Sequence, residues 1–337
     1  MRKTKYKILF LIFTFLSLSI AFSDSDSLCI VSYNTENLFD IVDNQDTTGD
    51  DEFTPTGSNK WKKEKYDSKI SNIAKVITSI DKNELPDIIG LAEIENKSVL
   101  IDLSDNNQFK KEKYKIVHQE SPDYRGIDTA LLIKEDELEI MEYSFIPIDL
   151  SIFEKEETTR EIVFAKLKIL TNNEIIYVFM NHWPSRANPE SYRIFTANTL
   201  RKKIDLILKN DKLAKIILLG DFNDEPTNKS LLNNLKAKLD FDINDFDLYN
   251  LMSSYLDKSQ GTYYYTKEKK WNILDNIIIS KGLLNSINGF VLENKKAQIF
   301  REEFILYKNS SGLYIPNKTY YGGYSDHLPV YLILKKK

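Results

Sequence analysis

Polar side chains end or precede short apolar runs at five places in this sequence, and their types could bind a metal ion and a phosphate group. A single such ending is usually a turn or a helix cap, because Asn and Asp favour both. Five endings that include two of the three histidines predict one shared site at the edge of a sheet. The residues are Asn34 and Glu36, Glu93 and Glu95, Asn181 and His182, Asp221 and Asn223, and Asp326 and His327.

These residue types suit hydrolysis of a phosphate ester with the help of a divalent metal ion. Carboxylate and amide oxygens are hard ligands that favour Mg²⁺ or Mn²⁺ over softer metals. Such an ion can neutralise a phosphate and stabilise a leaving oxygen. An Asp–His pair can orient an imidazole, while Asn and a second histidine can donate hydrogen bonds to phosphate oxygens. The sequence contains no GxxxxGK[ST] phosphate loop, GxSxG elbow or HExxH zinc motif.

Predicted strands and helices that could position these residues alternate along the chain after residue 24. Apolar residues at helical spacing predict helices at residues 61–80, 192–208 and 229–235. Many strands, few helices and no linker predict a single α/β domain over residues 24–337, built as a two-sheet α/β sandwich flanked by helices. The predicted strands, rich in Ile, Val, Leu and Tyr, are residues 28–33, 87–92, 130–133, 140–145, 162–170, 175–180, 216–219, 274–280 and 330–334.

Composition places the chain among ordinary globular proteins. Of its 337 residues, 42% are hydrophobic and 28% are charged, which excludes fibrous and wholly disordered chains. The single cysteine, Cys29, excludes an intramolecular disulfide and an all-cysteine zinc site. Three histidines argue against a histidine-dominated metal site. The Lys-, Asn- and Ile-rich composition suits a bacterial source.

The first 23 residues have the pattern of a secretory signal peptide. Four basic residues between positions 2 and 7 precede an apolar stretch, which gives way to a polar segment after Ser23. We predict cleavage there, export to the periplasm or the medium, and no stable membrane insertion afterwards. An uncleaved anchor is disfavoured because a span needs about 20 apolar residues. Losing four of 46 basic residues against 50 acidic ones leaves a net charge of −8, which argues against tight sequence-independent binding to nucleic acid.

Seven short motifs, taken in order, resemble those of the endonuclease/exonuclease/phosphatase superfamily, whose members include pancreatic-type deoxyribonucleases, apurinic-site endonucleases, sphingomyelinases and inositol polyphosphate 5-phosphatases. The motifs are SYNTEN, LAEIEN, YRGIDTALL, NHWPS, GDFND, LDN and SDHLP, and the resemblance runs over residues 30–332. It implies a four-layer deoxyribonuclease-like fold and Mg²⁺-dependent phosphoester hydrolysis, with Mn²⁺ as a possible substitute.

The resemblance also implies a set of metal ligands. Glu93 matches the principal metal-binding glutamate of the family, and Asp326 matches a terminal aspartate near the metal. Asn34 and Glu36 match the asparagine and the acidic residue of the first motif. Many relatives have aspartate at the position of Glu36, and the longer glutamate would reach further, through a water molecule if needed.

Catalytic roles follow from the same comparison of motifs. Asp221 and Asn223 match the pair that positions the attacking water and contacts the phosphate. Asp275 matches the aspartate that orients the catalytic histidine, His327. The general base is either Asp221 or the Asp275–His327 pair, since relatives have been described both ways.

Further residues are candidates for binding the phosphate. Asn181 and His182 match the family's phosphate-binding segment, whose histidine acts as a general acid in some members. Tyr124 and Arg125 lie in the motif whose tyrosine approaches the phosphate in several relatives. Arg186 joins them because the fork of a guanidinium matches phosphate oxygens.

Other residues have competing interpretations. Glu95 could join Glu93 in binding metal, or it could have no role. We predict no role for His118, which has no motif around it. Residues 263–265 and Trp271 could stack on bases or form a hairpin over the core. The acidic residues at positions 40–51 could be only a surface loop.

The motifs define the reaction and leave the substrate open. We favour an exported, monomeric nuclease acting on DNA or RNA, because the NHWPS histidine resembles the nuclease version. The first alternative is a phosphatase or phosphodiesterase for lipid, inositol or sugar phosphates. The second alternative is a binding module that kept the fold and lost catalysis, which the intact set of Glu93, Asp221, Asp275 and His327 opposes.

Overall fold

The computed structural model describes residues 26–45, 47–81, 84–109, 112–256, 258–285, 289–318 and 323–337. The predicted signal peptide, residues 1–23, lies outside this described part of the chain. None of the helices within the described part combines the length and the apolar character that a bilayer span requires.

The first sheet contains the parallel strands that end in the first two motifs. Its seven strands lie in the order β14, β18, β1, β2, β4, β3, with β15 beside β18. The pair β1–β2 is parallel and the other pairs are antiparallel. The strands are β1 (Ser27–Leu38), β2 (Ile88–Ile94), β3 (Tyr114–His118), β4 (Asp128–Lys134), β14 (Phe290–Leu292), β15 (Gln298–Ile299) and β18 (Val330–Lys336).

The second sheet has the same number of strands and a second parallel pair, β7–β8, near its centre. Its order is β5, β6, β7, β8, β13, β10, β9. The strands are β5 (Leu138–Ile146), β6 (Ile162–Ile169), β7 (Ile175–His182), β8 (Lys215–Asp221), β9 (Ala237–Lys238), β10 (Leu248–Asn250) and β13 (Asp275–Ser280). Two hairpins lie outside the sheets, β11 (Tyr263–Tyr265) with β12 (Lys270–Asn272) and β16 (Leu306–Lys308) with β17 (Tyr314–Pro316).

The two sheets pack face to face over an aliphatic core. Ile30 and Leu131 of the first sheet are buried in one cluster with Met180 and Leu219 of the second. A Cβ on Gly90 would lie 2.2 Å from Leu219 Cδ1 and 2.6 Å from Met180 Sδ. Glycine is therefore required at position 90 for the two central pairs of strands to approach this closely.

Helices cover the outer face of each sheet. Helix α1 (Lys63–Thr78) packs Ile70, Ile73 and Ile77 on the first sheet, together with α2 (Lys97–Ser104). Helix α3 (Glu190–Asn210) packs its buried apolar residues on the second sheet, and the short α4 is Gly282–Asn285. The layer order is helix, sheet, sheet, helix, which confirms the predicted two-sheet α/β sandwich. Short 3-10 turns are Asp51–Phe53, Asn107–Phe109, Leu150–Ile152, Leu251–Tyr255 and Glu303–Ile305.

Predicted and observed elements differ mainly at ends and in short pieces. The first predicted helix, residues 61–80, is shorter in the structure because α1 begins at Lys63 and ends at Thr78. The prediction of a helix at residues 229–235 is wrong in type, since Ser230–Asn234 forms a single π-helical turn. The missed elements are short: α2, α4, β3, β9, β10, β14, β15 and the hairpin β16–β17 have no pattern long enough to predict them.

Candidate active site

The predicted site residues meet where four parallel strands end and two antiparallel strands begin. The carboxyl ends of β7 and β8 place His182 beside Asp221, and the antiparallel β13 places Asp275 opposite Asp221. On the first sheet, the ends of β1 and β2 carry Asn34 and Glu93 at the same edge. Hydrogen bonds join the two edges, because Asn34 Nδ2 donates to Asp221 Oδ2 at 3.1 Å and approaches Glu93 Oε1 at 3.4 Å.

A buried histidine–aspartate pair forms one side of the site. His327 Nδ1 lies 2.7 Å from Asp275 Oδ2, and Asp275 has no exposed surface. Burial acts to lower the pKa of His327, but the charges of Asp275 and Asp221 outweigh it and raise that pKa well above its usual range. The imidazole is therefore held as a cation. Its Nε2 atom lies 3.8 Å from Asp221 Oδ2.

Asp221 lies at the centre of the site and is 3% exposed. Its Oδ1 accepts a hydrogen bond from the backbone N–H of Asn223 at 2.8 Å, and its Oδ2 accepts from Asn34. Asn223 has a φ of 51°, so the chain turns sharply just after the strand and brings the amide back to the carboxylate. Burial raises the pKa of Asp221 to about 6, against the opposing charge of His327.

Two adjacent bulges interrupt the first sheet at Glu36 and Glu93. The pairing of β1 with β2 shifts register after Asn34, where Glu36 has a φ of 53°, and β2 is irregular at Glu93, whose φ is 62°. Left-handed backbone at non-glycine residues is strained and recurs at functional sites. Thr35 Oγ1 donates to the carbonyls of Ala92 and Glu93, which ties the two bulges together.

Glu93 projects into the site with a defined orientation. Its Oε2 accepts from the backbone N–H of Asn37 at 3.0 Å and lies 3.5 Å from Arg125 Nη2. Arg125 also donates to Asn37 Oδ1 at 2.7 Å. The other carboxylate oxygen, Oε1, lies 3.9 Å from His182 Nε2. Glu93 therefore retains an oxygen that faces the cavity.

A buried lysine holds the end of β1 against the loop that carries Asp326 and His327. Lys69, from α1, is 2% exposed, and its amino group donates to the carbonyls of Thr35, Glu36 and Tyr324. Burial lowers the pKa of Lys69 to about 8, although Glu36 and Asp326 act in the opposite direction. The sequence does not reveal the role of Lys69, because a lysine among the apolar positions of an amphipathic helix normally lies at the border between the buried and the exposed face.

Ser325 makes a second connection between the two sheet edges. Its hydroxyl donates to the carbonyl of Asn34 at 2.7 Å and accepts from the backbone N–H of His327 at 3.0 Å. The serine of the SDHLP motif therefore fixes the backbone of His327 relative to β1.

His182 is buried beside Asp221 and Glu93. Its Nε2 lies 3.8 Å from Asp221 Oδ2 and 3.9 Å from Glu93 Oε1. Burial, followed by the charges of Arg160 and Arg125, lowers its pKa well below the usual range. A neutral imidazole can donate one hydrogen bond to a phosphate oxygen, which favours a binding role over that of a general acid.

His182, Asp221 and Glu93 line one cavity of about 580 Å³. Tyr263 covers His327, with ring centroids 4.9 Å apart, and Tyr265 lies further along the same hairpin. The opposite wall contains Arg186, whose Nε donates to the carbonyl of Asn223 at 3.1 Å. The lining residues are Glu93, Arg125, His182, Ser185, Arg186, Ala187, Asp221, Asn223, Tyr263, Tyr265, Glu268, Lys270, Asn272, Leu274, Asp326 and His327.

The donor set at one end of this cavity fits a hard divalent cation. Glu93 and Asp326 line the cavity and present carboxylate oxygens, and Asn34 Oδ1 is fixed by the backbone N–H of Glu36 at 3.0 Å. Oxygen donors of this kind suit Mg²⁺ or Mn²⁺. Asp221, Asp275 and His327 also approach one another within 4.8 Å, but Asp275 is paired with His327, so Glu93 and Asp326 are the better candidates for holding a metal ion.

Two predicted phosphate contacts are contradicted by the structure. Asn181 has no exposed surface, because Nδ2 donates to the carbonyls of Phe179 and Leu219 while Oδ1 accepts from Trp183 Nε1. Its amide braces the loop after β7 and does not face the cavity. Tyr124 is 70% exposed and does not line the cavity. Only its neighbour, Arg125, reaches the site.

The structure also resolves the residues with competing interpretations. Glu95 is buried away from the cavity and accepts from the backbone N–H of Asp40 at 2.6 Å, so it does not join Glu93. His118 lies outside the cavity and contacts Asp128 at 2.9 Å. Tyr263–Tyr265 forms a hairpin with Lys270–Asn272, as one of the two interpretations predicted. Tyr264 contacts Trp271, and the other two tyrosines line the cavity.

A family model described as the endonuclease/exonuclease/phosphatase family matches residues 29–336, nearly the whole described chain. The chain belongs to this family. It is therefore a phosphoesterase by family, and residues from six of its seven motifs line one cavity. No curated protein sequence gives a significant match.

Solved structures of the family have the same fold at low sequence identity. A family protein from Bacteroides thetaiotaomicron gives a TM-score of 0.59 at 17% identity, covering 91% of this chain and 97% of that one. A mannosyl-6-phosphatase from the same species gives 0.58 at 16%, covering 91% and 99%. D. rerio TDP2 complexed with a single-strand DNA product gives 0.57 at 15%, covering 92% and 100%. At these identities the similarity concerns the fold.

Proposed function

We propose that this protein is an exported, Mg²⁺-dependent phosphodiesterase that hydrolyses nucleic acid. The observation that carries the proposal is the position of Asp221, a buried carboxylate 3.8 Å from the Nε2 atoms of both His327 and His182. These groups share a cavity with Glu93 and Asp326. A carboxylate, an oriented imidazolium and a hard-metal site within one cavity suit attack of water on phosphorus.

The metal would be held by Glu93 and Asp326, with Asn34 beside them, and it would offset negative charge on the phosphate. His327 and His182 donate hydrogen bonds to the non-bridging phosphate oxygens from opposite sides of Asp221. Asn223 is fixed by its own contacts, since Nδ2 donates to the carbonyl of Trp183 at 2.9 Å. It therefore contributes by placing its backbone amide against Asp221.

Asp221 is the general base in this proposal. Hydrogen bonds from Asn34 and Asn223 fix its carboxylate, so the lone pair that accepts the proton has a defined direction. The water oxygen forms a bond to phosphorus as one water proton passes to Asp221. The bond to the leaving oxygen breaks in line with it, and that oxygen keeps the electron pair and takes up a proton from solvent. His327 is the less favourable base, because the charges of Asp275 and Asp221 raise its pKa and favour the protonated imidazole.

Several groups on the cavity walls suit a nucleic acid substrate despite the net negative charge of the chain. Tyr265 offers a ring on which a base can stack. Arg125, Arg186 and Lys270 line the same cavity, and their positive charge can contact the backbone of a polynucleotide.

A second candidate is a phosphatase for a small sugar, inositol or lipid phosphate. The cavity volume of about 580 Å³ favours it, because pockets for small molecules commonly measure about 300–1,000 Å³. The similar fold of a mannosyl-6-phosphatase is compatible with this candidate.

One experiment separates these candidates. Residues 24–337 are purified and offered plasmid DNA, single-stranded DNA, RNA, sphingomyelin, inositol phosphates and mannose 6-phosphate, with Mg²⁺ or with chelator, beside the His327→Ala variant. Cleavage of nucleic acid that requires both Mg²⁺ and His327 supports the nuclease. Activity confined to a small phosphate or a lipid selects the second candidate, and inactivity on all substrates indicates a binding module. Export is tested by fractionating cells that express the full chain or a chain lacking residues 2–23.

A further inference from the structure

The loop between β1 and α1 contains a cluster of carboxylates outside the active site. One carboxylate oxygen from each of Asp43, Asp50 and Asp51 lies within 4.8 Å of the other two. Two ligands of a Ca²⁺ ion at about 2.3–2.6 Å can be at most about 5 Å apart, so this spacing fits three ligands of one ion. Spacing alone does not make a site, because exposed acidic groups often lie close together.

Asp50 distinguishes this cluster from an ordinary acidic surface. It is only 2% exposed, and its Oδ1 is buried without any hydrogen-bond partner. Its Oδ2 accepts from the backbone N–H of Asn44 at 2.7 Å. No lysine, arginine or histidine in the described ranges pairs with Asp43, Asp50 or Asp51. A buried carboxylate that has an unpartnered oxygen and lies beside two further carboxylates is costly, and a bound cation removes that cost.

We propose that this loop binds a structural calcium ion through Asp43, Asp50 and Asp51. Backbone carbonyls and water would complete a coordination shell of six to eight oxygens. Two of the three ligands are exposed and one is buried, so the ion can enter from solvent and attach the loop to the body of the protein at Asp50.

The loop that would bind this ion packs against Arg125, which lines the active-site cavity. A Cβ on Gly49 would lie 2.3 Å from Arg125 Cα, so the loop backbone rests directly on the backbone of Arg125. Thr47 Oγ1 donates to the carbonyl of Tyr124 at 3.0 Å. Arg125 then extends into the cavity, where it approaches Glu93 and Asn37. A calcium ion that orders residues 43–51 would therefore help to hold Arg125 in place.

Calcium binding to chelator-treated protein tests the proposal by isothermal titration calorimetry. The test variant is Asp43→Asn/Asp51→Asn, and the matched control is Asp240→Asn/Asp242→Asn, which removes two exposed carboxylates from a loop of the other sheet. All catalytic residues remain, so any calcium at the catalytic site contributes equally to both. We expect wild type and control to bind with a Kd of about 1 mM or tighter, and the test variant at least tenfold more weakly. A smaller difference, or no binding by wild type, overturns the proposal.

Asp50→Asn provides a second test, because its effect on the melting temperature should differ between calcium-free and calcium-saturated protein. Without calcium, the variant should be at least as stable to heat as wild type, because it removes a buried negative charge and keeps an oxygen for Asn44. With saturating calcium, wild type should gain in melting temperature and the variant should not. If calcium raises both melting temperatures equally, the ion binds elsewhere and the proposal fails. Neither readout depends on catalysis, so both are independent of the proposed function.

Discussion

His327 Nδ1 and Asp275 Oδ2 lie 2.7 Å apart although 52 residues separate them in the sequence. The antiparallel pairing of β13 with β8 places Asp275 opposite Asp221, and an isolated bridge between Tyr263 and His327 brings the imidazole over it. This contact fixes which imidazole nitrogen faces the cavity, since the Asp275 carboxylate accepts only from an Nδ1 that carries a proton.

Asp275→Asn should therefore impair catalysis through His327. The variant loses the largest of the charges that together outweigh burial and raise the pKa of His327, and the amide no longer selects one tautomer. We expect kcat to fall by about 10²- to 10⁴-fold with a nearly unchanged melting temperature. Steady-state kinetics and a thermal melt measure both quantities. A kcat within about tenfold of wild type would remove Asp275 from this role.

Glu93→Gln and Asp221→Asn should differ in their response to Mg²⁺. Glu93 belongs to the metal end of the cavity, so its variant should need at least about tenfold more Mg²⁺ for half-maximal activity. Asp221 is the proposed base, so its variant should keep the Mg²⁺ requirement of wild type and lose kcat at every concentration. Activity measured against Mg²⁺ concentration separates the two effects. If both variants recover fully at high Mg²⁺, Asp221 is a metal ligand and not the base.

Lys69→Met should destabilise the protein and disorder the active site. The change leaves the carbonyls of Thr35, Glu36 and Tyr324 without their buried donor. We expect a loss of about 3 kcal/mol in the free energy of unfolding and a clear fall in kcat at a temperature where the variant is folded. Lys75→Met, on an exposed position of the same helix, is the control. Equal denaturation midpoints for the two variants would contradict the positioning role.

Asp87 should make stability decrease as pH rises toward neutrality. Burial raises its pKa to about 7, although the backbone N–H of Cys29 and the charge of Lys134 oppose the shift; Glu137 and Glu84 add to it. The folded state therefore holds a proton that the unfolded state has released above its ordinary value of 3.8. Stability from this group is present below about pH 4 and is lost as pH rises to about 7.

Denaturation at several pH values tests this expectation by comparing wild type with Asp87→Asn. The shift of about three units corresponds to as much as about 4 kcal/mol, so Asp87→Asn should gain in relative stability between pH 4 and pH 8. Asp67→Asn, at an exposed helical position, should show no such trend. Parallel curves for wild type and Asp87→Asn would show that this carboxyl titrates normally in the folded protein.

The sequence allowed the sandwich and most of the site to be predicted, for identifiable physical reasons. Runs such as residues 216–219 are long enough to identify a buried strand, and the polar residues that follow must lie at its end. The positions of Asn181 and Tyr124 were not predictable in this way. Which side of a turn faces a cavity depends on contacts such as Asn181 with Trp183, and these appear only once the strands are paired.

The burial of Lys69 and Asp50 is a second feature that could not be predicted from the sequence. Each is a charged residue in a segment that suggests solvent exposure, and each is almost fully buried. Their burial is caused by long-range packing, of α1 against the loop before β18 and of Gly49 against Arg125. No local pattern carries that information.

Tyr265→Ala should distinguish a polynucleotide substrate from a small phosphate. Tyr265 lines the cavity without contacting the Asp275–His327 pair, so its removal should leave the chemical step intact. Stacking of a base on an aromatic ring contributes about 1–3 kcal/mol, which corresponds to a rise in KM for single-stranded nucleic acid of roughly five- to hundredfold. Tyr265→Phe should keep the KM of wild type, because the ring and not the hydroxyl provides the stacking surface. Tyr314→Ala, an exposed tyrosine on the other hairpin, controls for a general surface effect. A KM for nucleic acid that is the same in Tyr265→Ala and Tyr314→Ala would show that no base stacks there, and it would shift the balance toward the small-phosphate candidate.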